Sequence, residues 1–156
     1  MSAHARLRLV ATVVEKIRLH GNATYPNECC GALLGRDGVV EDVHALPNTT
    51  EEGPRRRFLV RPGDYIAAER EGGLRGLELL GFYHSHPDHP ARPSQYDLDH
   101  AWPSFSYVIL SVMKGEPSAM TSWRLRPDRS GFDEEILDAE GVDVSTPEAT
   151  RTVGER

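Results

Sequence analysis

Two histidines and an aspartate near the middle of the chain have the side-chain types and the spacing of metal ligands. Residues 84–87 read His-Ser-His-Pro, and residues 94–97 read Ser-Gln-Tyr-Asp. Histidines at positions i and i+2 of a strand project from the same face, so the imidazoles of His84 and His86 can reach one ion. Asp97 falls in the first turn of the helix predicted to follow and can add a carboxylate oxygen.

This combination of ligands is the one expected for a catalytic zinc ion. Two imidazole nitrogens and one carboxylate oxygen suit Zn²⁺ and leave its fourth position open for water. A zinc ion lowers the pKa of its bound water toward about 7, which makes hydroxide available at neutral pH. We therefore predict one Zn²⁺ per chain, held by His84, His86 and Asp97, and a hydrolytic reaction.

Hydrolysis needs two further groups, and the sequence offers a candidate for each. The hydroxyl of Ser94 lies at the predicted helix start, where it can donate a hydrogen bond to an oxyanion forming on the substrate. Glu28, at a turn-to-strand boundary, is the candidate general acid/base that takes a proton from water and gives it to the leaving amine. A carboxylate that enters a largely apolar strand is costly unless it has a use.

Each of these features also has a structural explanation. Two histidines on a strand can be hydrogen-bonded core residues, and Glu28 can be a solvent-facing turn residue. Ser94 and Asp97 have the spacing of a helix capping box. Taken singly, the structural explanation is favoured for each feature. Their coincidence in one chain favours the catalytic interpretation.

The elements that must position these residues alternate along the chain, which predicts an α/β (α+β) fold with a mixed sheet flanked by helices. Residues 7–10 could be a short strand or the lead-in to a helix. The predicted strands are 30–34, 39–46, 58–60, 77–85, 106–113 and 119–125, with a last strand or turn near 132–137. The predicted helices are 10–21, 64–71 and 94–101. Gly21 and Asn22 are expected to end the first helix, and Asp64 to cap the second.

Length and composition fit a single domain over residues 1–140 and an acidic, flexible tail over 141–156. The chain has 156 residues, of which 38% are hydrophobic. Its net charge of -6 argues against a general nucleic-acid binder, and no apolar run approaches the length of a membrane span. Between residues 133 and 150 there are seven acidic residues and no Lys or Arg. With no targeting signal, the expected location is the cytoplasm.

Glu28, residues 84–86 and residues 94–97 together resemble the signature of the JAMM (MPN+) metallopeptidases at every required position. Residues 26–35, in which the glutamate precedes a Cys-Gly-Ala-Leu run, resemble the first-strand segment of that family. The resemblance extends from the first helix to about Leu125. It implies a cytidine-deaminase-like MPN/JAMM fold and one bound zinc ion. It also implies a role for each residue of the signature. His84, His86 and Asp97 are the implied metal ligands, Glu28 the general acid/base, and Ser94 the donor that stabilises the transition state.

The same resemblance implies a class of substrate. Members of the family cleave peptide or isopeptide bonds after the C-terminal Gly-Gly of ubiquitin or ubiquitin-like proteins. This chain is most similar to the compact prokaryotic members, which are associated with ubiquitin-like sulfur-carrier proteins of the thiamine, molybdopterin and cysteine pathways. A sulfur-carrier protein or its conjugate is therefore the expected partner. Which carrier it is, and whether the bond is a linear peptide or a lysine isopeptide, stays open.

Other reactive side chains near the motif are expected to play structural parts. His89 is predicted to lie at the cleft rim, because a fourth protein ligand would displace the water that the reaction needs. His100 follows Asp97 by three residues and could contact it. The adjacent Cys29 and Cys30 cannot form an unstrained disulfide, so we expect two buried free thiols.

Two polar segments could meet a substrate. Residues 55–57 are three consecutive arginines, which with Arg61 could guide an acidic carrier protein to the cleft. A solvated loop is the simpler interpretation of that run. Residues 48–52 could flank an extended substrate tail by strand addition.

Three other functions fit parts of the sequence. A catalytically silent scaffold of the same fold would mediate protein assembly, but every ligand and Glu28 are present. The DNA-repair-associated branch typically has Asn between its histidines and Gly after the proline, where this chain has Ser85 and Asp88. Phage-tail members usually carry a cell-wall hydrolase domain as well, which this sequence does not show.

Overall fold

A computed structural model describes residues 6–48 and 59–140 of the chain. Within these residues the protein has seven strands and three helices. In chain order they are β1 Arg6–Leu9, α1 Ala11–Thr24, β2 Cys30–Arg36, β3 Val39–Leu46, α2 Pro62–Leu74, β4 Glu78–Pro87, α3 Gln95–His100, β5 Ser106–Met113, β6 Glu116–Leu125 and β7 Phe132–Ala139. The predicted α+β class with a mixed sheet is confirmed.

The seven strands form one sheet in the order β1-β3-β2-β4-β5-β6-β7, and the sheet closes into a barrel. Closure comes from β1, which pairs in parallel with β7 on one side and with β3 on the other. The pair β4–β5 is also parallel, whereas β2–β3, β2–β4, β5–β6 and β6–β7 are antiparallel. From the sequence, the region of β1 could be a strand or the lead-in to a helix, and the region of β7 a strand or a turn. The sequence therefore did not predict a closed sheet.

One face of the sheet packs on helix α1. Val13, Val14 and Ile17 of that helix are fully buried, in a core that receives a side chain from each of the seven strands. The predicted end of this helix near Gly21 is wrong, because α1 continues to Thr24. Gly21 is buried inside the helix, where a Cβ would come within 2.6 Å of the Leu110 side chain. Glycine is used here for close packing of the helix on the sheet and not as a helix terminator.

Helix α2 packs on the opposite face, against a second core built around Phe82 and Tyr107. The helix begins at Pro62, after the N-cap residue Arg61, so the predicted cap at Asp64 is wrong. Asp64 instead lies in the first turn, where its Oδ2 accepts a hydrogen bond from the Arg61 backbone N–H over 3.1 Å. A carboxylate in this position satisfies one of the free amides at the helix start.

The predicted strand at 58–60 is wrong at residues 59 and 60, the two positions of it that the structure describes. Leu59 and Val60 have no strand structure, although Val60 is buried in the second core. Residues 49–58 and 141–156 lie outside the described residues, and with them the arginine run at 55–57, most of the 48–52 segment and the proposed tail. In the described ranges 6–48 and 59–140, no helix is long and apolar enough to cross a membrane.

Candidate metal centre

Strand β4 carries both histidines of the motif into the interior of the protein. It lies between β2 and β5, with Cys30 opposite His84 on one side and Ile109 beside it on the other. His84 and His86 are 1% and 7% exposed, so neighbouring strands and helices cover both imidazoles. Because side chains alternate along a strand, the two imidazoles project from the same face, as predicted.

Helix α3 brings the aspartate to the same place. Ser94 is its N-cap: the Ser94 Oγ accepts a hydrogen bond from the Asp97 backbone N–H over 3.1 Å. In return, the Asp97 Oδ2 accepts a hydrogen bond from the Ser94 backbone N–H over 2.9 Å. The capping-box interpretation is therefore correct, and it does not compete with metal binding. The box orients the Asp97 carboxylate so that the same Oδ2 faces the histidines.

Three potential ligand atoms form a small triangle. The Nε2 atoms of His84 and His86 lie 3.0 Å apart, and each lies 3.3 Å from the Asp97 Oδ2. A zinc ion bound at about 2.0–2.1 Å to tetrahedral ligands separates those ligands by roughly 3.3–3.4 Å. These three side chains also form a group that could hold a metal ion. The spacing and the chemistry of the donors therefore fit zinc.

The far side of one imidazole fixes which nitrogen can bind a metal. The His86 Nδ1 lies 2.9 Å from the backbone carbonyl oxygen of Pro90. A carbonyl oxygen can only accept, so the Nδ1 carries a hydrogen and donates a hydrogen bond to the Pro90 carbonyl. The Nε2 lone pair of His86 is then directed toward His84 and Asp97. A hydrogen bond of this kind on the outer nitrogen is typical of histidines that bind metals.

The charge states of the cluster also suit a cation. Burial lowers the pKa of His84, and the adjacent Asp97 only partly offsets that effect. Burial by itself raises the pKa of Asp97, but His84 and His86 outweigh it and hold the pKa of that carboxyl well below its usual range. A neutral imidazole and an ionised carboxylate are the forms that bind a metal ion.

Glu28 lies immediately before β2, and its neighbours tie it to β4. The backbone amide of Ser85 donates to the Cys29 carbonyl over 3.1 Å, which extends the pairing of β2 and β4 past Cys30. One residue further, the same antiparallel alternation puts Glu28 opposite His86, on the face that carries the histidines. Glu28 is 8% exposed, so it is not a solvent-facing turn residue. Its own carbonyl accepts a hydrogen bond from the Asn48 side chain over 3.0 Å.

The other histidines near the motif do not join the triangle. His89 is exposed, and its backbone carbonyl accepts a hydrogen bond from the Ser111 hydroxyl over 2.6 Å. His100 stacks on Tyr96 with ring centroids 4.1 Å apart, and its Nδ1 donates to the Tyr96 carbonyl. The hydrogen bond of His100 therefore goes to its own helix and not to Asp97, although both line one small apolar pocket.

Both cysteines are buried free thiols, as predicted. Burial raises the pKa of the Cys29 thiol from 9.0 to about 11 and that of Cys30 further. A thiol held in its neutral form is a poor nucleophile. Cys29 packs in the core under α1 and Cys30 in the second core, which supports their structural interpretation.

Sequence reasoning missed the residues that hold the loop between β4 and α3. The Pro90 carbonyl that orients His86 is one, and Asp88, which accepts a hydrogen bond from the Tyr25 hydroxyl over 2.6 Å, is another. A main-chain carbonyl leaves no mark in a sequence, and Tyr25 is 63 residues from Asp88 along the chain. In the sequence, Asp88 stands out only as a difference from the DNA-repair-associated branch.

The amino-acid sequence matches a known protein family and several known proteins. Residues 10–126 match the model of the family described as prokaryotic homologs of the JAB domain. The chain belongs to this family. The desampylase of Haloferax volcanii is 32% identical over 114 residues, which are 69% of this chain and 81% of that protein. A protein of Thermus thermophilus named a probable TtuB-protein conjugate cleaving protease is 37% identical over 100 residues, or 64% of this chain and 66% of the relative.

Solved structures give the same fold. The protein DSY2949 from Desulfitobacterium hafniense has a TM-score of 0.74 at 35% identity, covering 86% of this chain and 92% of that one. The JAB1/MPN domain protein AF2198 from Archaeoglobus fulgidus has a TM-score of 0.57 at 17% identity, covering 88% and 97%. The predicted MPN/JAMM fold is confirmed, and so are the JAMM family and the expectation of a hydrolase.

Proposed function

We propose that this prokaryotic JAB-domain protein is a zinc metallopeptidase that hydrolyses the bond after the C-terminal Gly-Gly of a ubiquitin-like sulfur-carrier protein. The observation that carries the proposal is the triangle of His84 Nε2, His86 Nε2 and Asp97 Oδ2, with edges of 3.0, 3.3 and 3.3 Å. Three ligands of this kind leave one position of a tetrahedral zinc ion for water or substrate. Zinc held there would polarise a water molecule and a substrate carbonyl.

Glu28 is proposed as the general acid/base. Its carboxylate takes a proton from the attacking water and then gives it to the leaving amine, which lets a poor leaving group depart as a neutral amine. Two contacts support this role. The Glu28 carbonyl is held by Asn48, and the next residue, Cys29, is paired with Ser85 between the two histidines. The burial of this carboxylate on the histidine face supports the assignment.

Ser94 is proposed to stabilise the transition state. Its Oγ already accepts a hydrogen bond from the Asp97 amide, which directs the hydroxyl lone pair toward the helix. The hydroxyl proton is still available to donate to an oxyanion that forms on the substrate carbonyl. The capping bond would keep that donor in a fixed direction, so little reorganisation would be needed during the reaction.

The substrate class rests on the relatives and on the motif. One relative is named a desampylase, and another is named for cleaving conjugates of TtuB with proteins. The second name describes the cleavage of a conjugate between two proteins, which is the reaction that an isopeptidase performs. Cleavage after Gly-Gly follows from the resemblance to JAMM proteins. A silent scaffold remains the alternative function.

The proposal is tested with carriers that have residues beyond Gly-Gly or a lysine-linked partner. We expect purified protein to contain about one zinc per chain and mass spectrometry to show cleavage after the second glycine. Glu28→Gln should keep the zinc and lower kcat by about 10²–10⁴-fold. Glu41→Gln, which changes an exposed glutamate on β3, is the matched control and should cleave normally.

Three results would overturn different parts of this proposal. A chain that binds no zinc at any concentration would be a scaffold and not a metallopeptidase. Zinc-dependent cleavage at another sequence would leave the metal centre in place and remove the Gly-Gly specificity. Full activity in Glu28→Gln would assign the proton transfers to another group.

A further inference from the structure

Asp88 connects three separate parts of the chain next to the metal centre. It follows the last residue of β4, and its Oδ2 accepts a hydrogen bond from the Tyr25 hydroxyl over 2.6 Å. Its Oδ1 accepts a hydrogen bond from the backbone amide of Lys114 over 2.7 Å. Its own amide donates to the Val112 carbonyl over 2.7 Å. One carboxylate therefore joins the end of α1, the end of β4 and the β5–β6 turn.

The contact with Tyr25 matters because Tyr25 begins the segment that carries Glu28. Tyr25 is the C-cap residue of α1, and β2 begins five residues later, at Cys30. The other end of the segment is fixed where Cys29 pairs with Ser85. The segment around Glu28 is thus bound at one end to Ser85 of the histidine strand β4, and at the other end to Asp88, the residue that follows β4. Between these two anchors, the position of Glu28 depends on both.

The loop that contains Asp88 is itself firmly held. Three successive backbone carbonyls in it accept hydrogen bonds from side chains of β4, β5 and β6. These bonds are His86 to Pro90 at 2.9 Å, Ser111 to His89 at 2.6 Å, and Thr121 to Ala91 at 2.7 Å. A loop with so many fixed points can serve as a rigid support for another segment.

We propose that Asp88 is a positioning residue, whose carboxylate sets the distance between the Glu28 segment and the strand of His84 and His86. This inference rests on the proposed function, in which Glu28 transfers protons. An ionised carboxylate offers two acceptor oxygens to two donors, the Tyr25 hydroxyl and the Lys114 amide. An asparagine offers one acceptor oxygen, so it can serve the Lys114 amide but meets the Tyr25 hydroxyl only as a neutral donor, in a weaker hydrogen bond of reversed direction. In this proposal Asp88 acts through Tyr25 and not on the substrate.

The test combines Asp88→Asn, Tyr25→Phe and the double variant. Asparagine tolerates the φ of +59° at position 88 as well as aspartate does, and phenylalanine removes only the Tyr25 hydroxyl. Asp37→Asn is the matched control, because Asp37 is an exposed aspartate with φ +55° in the β2–β3 turn. Zinc per chain, kcat and KM are measured on a carrier with a C-terminal extension beyond Gly-Gly.

We expect each single variant to lower kcat roughly 10–100-fold, since a displaced general base reacts poorly. KM and zinc content should stay at the wild-type values, and the Asp37→Asn protein should match the wild type. The double variant should be no slower than the slower single variant, because both changes act on the same contact between residues 25 and 88. If Asp88→Asn fails to fold, the kcat of Tyr25→Phe decides the question.

Unchanged kcat in Tyr25→Phe would overturn the inference, as would purely additive losses in the double variant. Losses of kcat that follow losses of zinc would also overturn it, because Asp88 would then support the metal site and not Glu28. Failure of the proposed function looks different. In that case the wild-type protein, loaded with zinc, would leave every Gly-Gly substrate intact, and the variants would have no activity to lose.

Discussion

The Ser85 side chain and backbone both bind Cys29. The Ser85 Oγ accepts a hydrogen bond from the Cys29 amide over 2.8 Å, and the Ser85 amide donates to the Cys29 carbonyl over 3.1 Å. Ser85 is the residue between the two histidines, and Cys29 follows Glu28. The two bonds therefore join the segment of the proposed general base to the strand of the proposed ligands. The side chains of Ser85 and Cys29 project from the face of the sheet opposite to the one that carries His84, His86 and Glu28.

Ser85→Ala should destabilise the fold and displace Glu28. The substitution leaves the buried Cys29 amide without its side-chain acceptor, which costs about 1–3 kcal/mol in the free energy of unfolding. Urea unfolding measures this loss. Ser118→Ala on β6 is the control and should change stability by less than about 0.5 kcal/mol. A Ser85→Ala protein as stable as the wild type would mean that the bond contributes nothing net.

Zinc should stabilise the protein through the predicted ligands. Added zinc should raise Tm and a chelator should lower it, by an amount that corresponds to about 4 kcal/mol when free zinc is 1,000 times its Kd. His86→Ala should abolish this response. His89→Ala should retain it, since His89 is exposed and lies outside the triangle. Thermal unfolding with and without zinc distinguishes the two, and a loss of response in His89→Ala would contradict the ligand assignment.

The buried thiol of Cys29 should make the fold sensitive to alkaline pH. Its pKa is raised from 9.0 to about 11 in the folded protein. The stabilising contribution is complete below pH 9 and is lost as pH rises from 9 toward 11, because only the unfolded chain ionises easily there. The loss is on the order of 2–3 kcal/mol. Urea unfolding from pH 8 to 11 should show a steeper decline in the free energy of unfolding for the wild type than for Cys29→Ala. Parallel curves for the two proteins would contradict this role of the Cys29 thiol.

Helix α1 should contribute strongly to stability through one face only. Ile17 is fully buried between the helix and the sheet, so Ile17→Ala should lower the free energy of unfolding by about 2–5 kcal/mol. Leu19, two positions further along, is 57% exposed, and Leu19→Ala should have little effect. Equal losses in the two variants would show that α1 does not pack on the sheet through this face. Chemical denaturation of both proteins gives the comparison.

Several elements could be predicted closely from local pattern. The largely apolar run at 106–113 is β5, with the predicted bounds. The short helix after the prolines is α3, and the spacing of Ser94 and Asp97 predicts its cap and first turn. In these cases the signal lies within a few neighbouring residues. The errors arise where distant packing decides, as at Gly21, which stays helical because it fits against Leu110.

The metal ligands divide in the same way. Because side chains alternate along a strand, the sequence by itself determined that His84 and His86 share a face, and capping determined the orientation of Asp97 relative to Ser94. Tertiary structure alone decided that α3 folds back so that the Asp97 Oδ2 lies 3.3 Å from both Nε2 atoms. It also decided that Glu28 falls opposite His86, which follows from the register between β2 and β4. A strand pattern defines faces but not register, so contacts between residues far apart in the chain could not be predicted from it.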